Sequence, residues 1–185
     1  MTACRPIACD TMGSVTAGVY RHAMSHLGGG VCLVTCRANG LDHAMTATAV
    51  IAVSLTPPLL LVSVDRRARF HAALEAADDL AVTFMADHQV ELAHHFARSG
   101  RALATQFDGV ATRRLDNGSL ILPDALTGVG AHIESRLPGG DHTLILAEMT
   151  EVAAGTASAS AGPLVHFSSG FHALLDGPGR PERSA

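Results

Sequence analysis

The stretch Val31–Val64, VCLVTCRANGLDHAMTATAVIAVSLTPPLLLVSV, decides the fold class. Val31–Cys36 is a short apolar run, partly β-branched, which reads as a strand. Asn39-Gly40 follows it. That pair is a strong hairpin signal, because both central residues of the tightest turns need positive φ. The return strand runs from Asp42 into Met45-Thr46-Ala47. Ala49–Ser54 is a third segment and Leu59–Val64 a fourth, with Pro57-Pro58 between them. Four strand segments in succession leave no room for a crossover helix. They predict an antiparallel sheet or barrel, not parallel β-α-β units.

Upstream, Val19, Ala23, Met24 and Leu27 recur at helical spacing. They predict a helix over 16–27 with Thr16 as its N-cap, stopped by Gly28-Gly29-Gly30. Downstream, Asp65-Arg66-Arg67-Ala68-Arg69 is the densest positive cluster of the chain. It leads into a helix over 70–77, then a strand over 80–85. A second helix is predicted over 87–96, with Asp87 as its N-cap, and 98–104 reads as irregular. Strand patterning returns at 111–115, 119–122, 131–136, 142–152 and 164–167, separated by Asn-Gly, Pro-Gly-Gly and Gly-Pro signals. Thr156–Ala161 is small and polar and reads as an exposed loop. Residues 1–14 and 176–185 lack periodicity and read as flexible or disordered tails. The expected architecture is one α+β domain over 15–175, mainly β: a closed or nearly closed barrel with a few peripheral helices.

Composition excludes several function classes. The 185 residues carry a net charge of −4, with only 16% charged and 48% hydrophobic residues. A nucleic-acid binder concentrates positive charge to neutralise phosphates, so none is expected. A chain this apolar is not disordered. No run approaches the roughly 18 apolar residues of a membrane span, and the N-terminus has no apolar signal region. No membrane association is expected, and a cytoplasmic location is. Cys32 and Cys36 lie four apart in a strand and share a face. Buried reduced thiols are the reading that fits. Sparse charge also suggests apolar surface hidden in an oligomer or against a ligand.

Three segments carry candidate chemistry. Met45-Thr46-Ala47-Thr48-Ala49 combines small residues with two hydroxyls, so a ligand could approach the backbone and accept hydrogen bonds at a polar ring edge. A tightly packed barrel corner explains the same residues equally well. Arg66, Arg67 and Arg69 stand at the start of a helix, where arginines and free N–H groups suit an anion. A solvated basic loop is the plainer alternative. Gly139-Gly140-Asp141-His142-Thr143 delivers an Asp and a His at the mouth of a strand. His22 and His26 lie one helical turn apart, but no Cys or carboxylate completes a coordination shell at readable spacing. No metal is expected.

The ordered set Tyr20-Arg21-His22-Ala23-Met24, Gly30–Thr35, Met45–Ala49, Val53–Leu59 and Gly140-Asp141-His142-Thr143 resembles the short-chain flavin reductase family. The resemblance runs from about residue 17 to 175. It implies an FMN-binding split β-barrel, a homodimer, and an NAD(P)H:flavin oxidoreductase that serves a separate flavin-dependent monooxygenase. It assigns Met45, Thr46, Ala47, Thr48, Ala49 and Ser63 to the isoalloxazine region of FMN or FAD. It assigns Asp65, Arg66, Arg67, Ala68, Arg69 and Phe70 to the flavin phosphate. Asp141 and Phe167 would line the site, and His142 would stand where the nicotinamide of NADH or NADPH stacks. Relatives carry hydroxyls where this chain has Ala68 and Phe70, so phosphate grip would rest on arginines and backbone. Two alternatives stay open on residues alone: a split barrel binding flavin or haem without turnover, and a flavoenzyme with tightly held FMN reducing another acceptor.

Overall fold

The computed structural model describes residues 15–174. The predicted tails, and Leu175, lie outside the described residues. In chain order the elements are α1 (Ala17–Ser25), β1 (Gly29–Gly30), β2 (Cys32–Ala38), β3 (Leu41–Ala47), β4 (Val50–Leu55), β5 (Pro58–Asp65), α2 (Arg69–Glu75), β6 (Asp79–Phe84), α3 (Val90–Ala97), β7 (Arg113–Arg114), β8 (Leu120–Ile121), β9 (Thr127–Gly139), β10 (His142–Ala154), β11 (Leu164–Phe167) and β12 (Gly170–Ala173).

Seven strands form one antiparallel sheet in the order β3-β2-β6-β9-β10-β5-β4. Its two edge strands, β3 and β4, are joined by Thr48 and Ala49 alone. Both edges must therefore meet at that connection, which curls the sheet into a barrel split elsewhere along its seam. Register shifts at Leu146/Ala147 and Met149/Glu151 bend the long β9–β10 ribbon, as bulges do. A three-stranded sheet, β1-β11-β12, stands beside the barrel.

The alternation of side chains along β2 explains how the two layers pack. Cys32, Val34, Cys36 and Ala38 face one core with Val62, Val82, Val129 and Ile145, to which α2 adds Phe70, Ala73 and Leu74. Val31 and Leu33 face a second core with Met85, Phe96, Leu122 and Leu164. The strand thus lies between two apolar layers, and its hydrophobic run reflects burial on both faces.

Cys32 and Cys36 are free and buried, as expected. Burial pushes both thiols up to about 12. Thiolate is the reactive form, so neither should react with iodoacetamide in the folded protein at mildly alkaline pH. Peptide mass spectrometry should find both alkylated only after denaturant is added.

Local departures from the sequence reading have tertiary causes. Thr16 caps α1 as expected, its hydroxyl accepting from the Val19 N–H at 3.4 Å. The triple glycine does not merely stop that helix: Gly29 and Gly30 pair with His166 and Val165. Asp87 is not an N-cap. Its carboxylate accepts from the Gly162 N–H at 3.0 Å, while the Gln89 side chain accepts from the Ala86 N–H at 3.0 Å. A 3-10 turn over Asp87–Gln89 therefore precedes α3. Ala161, assigned to an exposed loop, is buried.

Candidate active site

The loop after β5 folds on one carboxylate. Asp65 accepts from the Arg67 N–H at 2.8 Å, and from Arg67 Nε and Nη2 at 3.2 and 2.9 Å. Its carbonyl accepts from the Ala68 N–H at 2.9 Å. An aspartate bonding the backbone two residues on is an Asx turn. The Arg67 side-chain and backbone bonds hold the Asp65 carboxyl down to about 2. The same pair raises Arg67. Arg67 is thus partly neutralised within its own loop.

The β9–β10 turn is stitched to this loop. Gly140 has φ +70°, a conformation that glycine adopts without strain. The next residue, Asp141, accepts from the Arg66 N–H at 3.1 Å through its carbonyl. His142 pairs in register with Asp65 across β10 and β5. Its Nδ1 donates to Asp141 Oδ1 at 2.7 Å, and that bond lowers the Asp141 carboxyl. With Nδ1–H fixed, Nε2 is the nitrogen left to meet a ligand.

A cavity of about 280 Å³ opens between β3, the loop before α2 and the segment after α3. Met45, Arg67, Arg69, Phe70, Arg98 and Arg101 line it, with His43 beside them. None of its lining residues is a carboxylate. Arg69 donates to the Arg101 carbonyl. Arg101 donates to the Ala44 and His95 carbonyls at 3.0 and 3.1 Å, and stands 5.5 Å from the Phe96 ring centre. Burial and the nearby Arg69 charge lower the Arg101 pKa. Carbonyls orient Arg101 without cancelling its charge.

The Thr46–Ala49 segment is divided by the pleat. The Thr46 hydroxyl donates to the Ala93 carbonyl of α3 at 2.8 Å, and Ala47 is buried in the first core. Thr48 and Ala49 are exposed. The Ala49 carbonyl accepts from the Ser63 N–H at 3.0 Å. A Cβ on Gly29 would stand 3.3 Å from the Thr48 carbonyl oxygen, so the glycine lets β1 pass close to Thr48. β1 in turn carries β11, whose Phe167 ring lies 6.2 Å from His26 and 6.4 Å from His172.

The fold therefore joins Asp65–Arg67 to Asp141 and His142, Met45 to Arg67–Phe70, and Ala49 to Ser63. Phe167 stands on the other sheet, and Arg66 is exposed outside the cavity lining. The His22 and His26 rings stand 4.9 Å apart, and the His26 Nδ1–H donates to the His22 carbonyl at 2.8 Å. Sequence reading missed His43, Arg98 and Arg101. The available signal was a pair of arginines bracketing Gly100, whose φ of +79° turns the loop.

Comparison with known proteins identifies the family. The model of the flavin reductase like domain matches residues 24–175. The chain is 35% identical over 161 residues to an NADH-dependent FMN reductase of Streptomyces nodosus subsp. asukaensis, covering 85% of this chain and 84% of that one. It is 31% identical over 156 residues to the reductase component of 4-hydroxyphenylacetate 3-monooxygenase from Thermus thermophilus, covering 84% and 95%. The solved NADH:FAD oxidoreductase of Streptomyces globisporus C-1027 superposes with a TM-score of 0.80 at 26% identity, covering 86% of this chain and 94% of that one. With that domain matching most of the chain, and a relative 35% identical over 85% of it, the chain belongs to the flavin reductase like family.

Proposed function

We propose that this protein is an NAD(P)H:flavin oxidoreductase that reduces FMN or FAD and supplies the product to a separate monooxygenase. The observation that carries this reading is the placement of the arginine-lined cavity next to Met45, one strand end away from the Asp141–His142 pair. Relatives bearing FMN-reductase and monooxygenase-component names support it.

The residues fit a flavin. Arginines without a carboxylate among the lining suit its anionic tail. The exposed Thr48-Ala49 connection beside Ser63 offers small side chains and polar groups to a ring edge. A bound flavin supplies the hydride acceptor, so the demanding chemistry belongs to the cofactor. The chain's own task is to orient and to exclude water. Arg69 holds the phosphate that both flavins carry, and Met45 walls the cavity. Asp141 fixes the His142 ring and keeps its proton on Nδ1, leaving Nε2 to orient the nicotinamide carboxamide or hold a proton. No general base is needed for hydride transfer.

The test is NADH or NADPH oxidation by purified protein on titration with FMN and then FAD. A saturable rate is expected with at least one flavin, and no rate with either would overturn the reading. His142→Ala should lower kcat about tenfold to a hundredfold, the scale of a misplaced reactant. Flavin affinity should change little. An unchanged rate would remove His142 from the site.

The same reading includes a homodimer in the cytoplasm. No helix among the described residues is long and apolar enough to cross a membrane. α1 buries no residue and exposes Tyr20 and Met24, Leu27 just beyond it is exposed too, and edge strand β4 exposes Ile51, Val53 and Leu55. So much exposed apolar surface supports a second copy covering it.

A further inference from the structure

The arginine cavity draws its cations from two separate segments of the chain. Arg67 and Arg69 come from the loop before α2, Arg98 and Arg101 from the segment after α3. Arg67 is committed to Asp65. Arg69 and Arg101 are oriented by carbonyls and have no carboxylate partner among the described residues. The Arg98 side chain makes no hydrogen bond or ion pair among the described residues, and Arg101 Nε is buried without a partner. The second segment is also pre-positioned. Arg101 ties it to the Ala44 carbonyl of β3 and to the end of α3, so little ordering is left for a ligand to cause.

We infer that the Arg98–Arg101 segment is a second phosphate subsite of this cavity, built for the pyrophosphate of FAD, and that it sets a preference for FAD over FMN. The inference rests on the flavin reductase reading. The first phosphate is held from the Arg69 side, where both flavins can reach. The second is met by Arg98 and Arg101, which only a dinucleotide flavin can engage together with Arg69. The 2′-phosphate of NADPH has the same chemistry, so the experiment must separate the two sources.

Equilibrium dialysis of the full chain with FMN and with FAD, without pyridine nucleotide, reads the preference directly. The wild type should hold FAD more tightly. Arg98→Gln should weaken FAD about tenfold, the scale of one lost charge-assisted hydrogen bond, and weaken FMN several-fold less. Arg98→Lys should restore part of the FAD affinity, because it returns the charge without the planar fork. Equal effects on the two flavins, no effect on either, or a loss confined to the KM for NADPH would each overturn the assignment. If the wild type binds neither flavin, the reductase reading falls and takes this one with it. If it binds both and Arg98→Gln treats them alike, only the second subsite is wrong.

Discussion

Replacing Gly155 with alanine is expected to remove about 4 kcal/mol or more of stability and to lower Tm by about 10 °C or more. A Cβ at that position would lie 1.7 Å from the Ala125 carbonyl oxygen and 2.7 Å from the Leu126 carbonyl carbon. Both are backbone atoms, so no rotamer change relieves the overlap. The surrounding chain is pinned as well. Thr156 donates to the Pro123 carbonyl at 2.8 Å, Ala157 to Ala125 at 3.3 Å, and Leu126 to Phe84 at 3.1 Å. Relief must therefore break that ladder and disturb Leu122 and Ala125, which belong to the core beneath α3.

Gly128 is the instructive comparison. The three nearest atoms to a Cβ there would be Ile121 side-chain atoms, at 2.7, 2.9 and 3.1 Å. A side chain can turn aside, so Gly128→Ala should cost about 1–3 kcal/mol, the usual scale of overpacking. Thermal melts of the two variants side by side check the argument. A Gly155→Ala melt equal to that of Gly128→Ala would mean that the 123–126 segment yields freely.

The difference between legible and illegible parts of this fold is the difference between local and distant partners. The hairpin at Asn39-Gly40 was readable because its cause lies in two residues: both take positive φ, 52° and 77°, as the turn demands. The strands on either side follow from apolar content within a few residues. Gly29-Gly30 was not readable as a strand. Glycine has poor strand propensity, and the pair is extended only because His166 and Val165 lie alongside. β12 is a strand for the same reason, through its pairing with β11. The Asp87 cap failed because Gly162, distant in sequence, offers its N–H to the same carboxylate.

The site divides in the same way. Asp65 and Arg67 sit in one loop, and their ion pair is a neighbour effect. The spacing of Asp141 and His142 is likewise local. Resemblance supplied the pairing of these two loops, and the β5–β10 register places His142 opposite Asp65. Arg98, Arg101 and His43 could not be added from sequence. They share a cavity with Arg69 only after α3 packs on β3 and the following loop turns back across it.

That cavity makes Arg69 the residue whose reversal should do most harm to binding. Arg69→Glu should weaken both FMN and FAD at least about a hundredfold. One lost charge-assisted bond to a phosphate is worth about 1.5–3 kcal/mol, and each 1.4 kcal/mol is tenfold. The introduced carboxylate would also pair with Arg98 or Arg101 and cancel the attraction those residues exert, so the reversal should exceed the neutral Arg69→Gln change. The fold should tolerate both variants. Arg69 is exposed and its guanidinium donates to one carbonyl, that of Arg101, a surface change usually worth less than about 1 kcal/mol. The loss should appear in the flavin KM, because the reacting end of the site lies toward His142 and not toward Arg69. A fall in kcat at saturating flavin with KM unchanged would place Arg69 at the reacting end instead. The arginine cavity would then be the wrong place for the flavin tail.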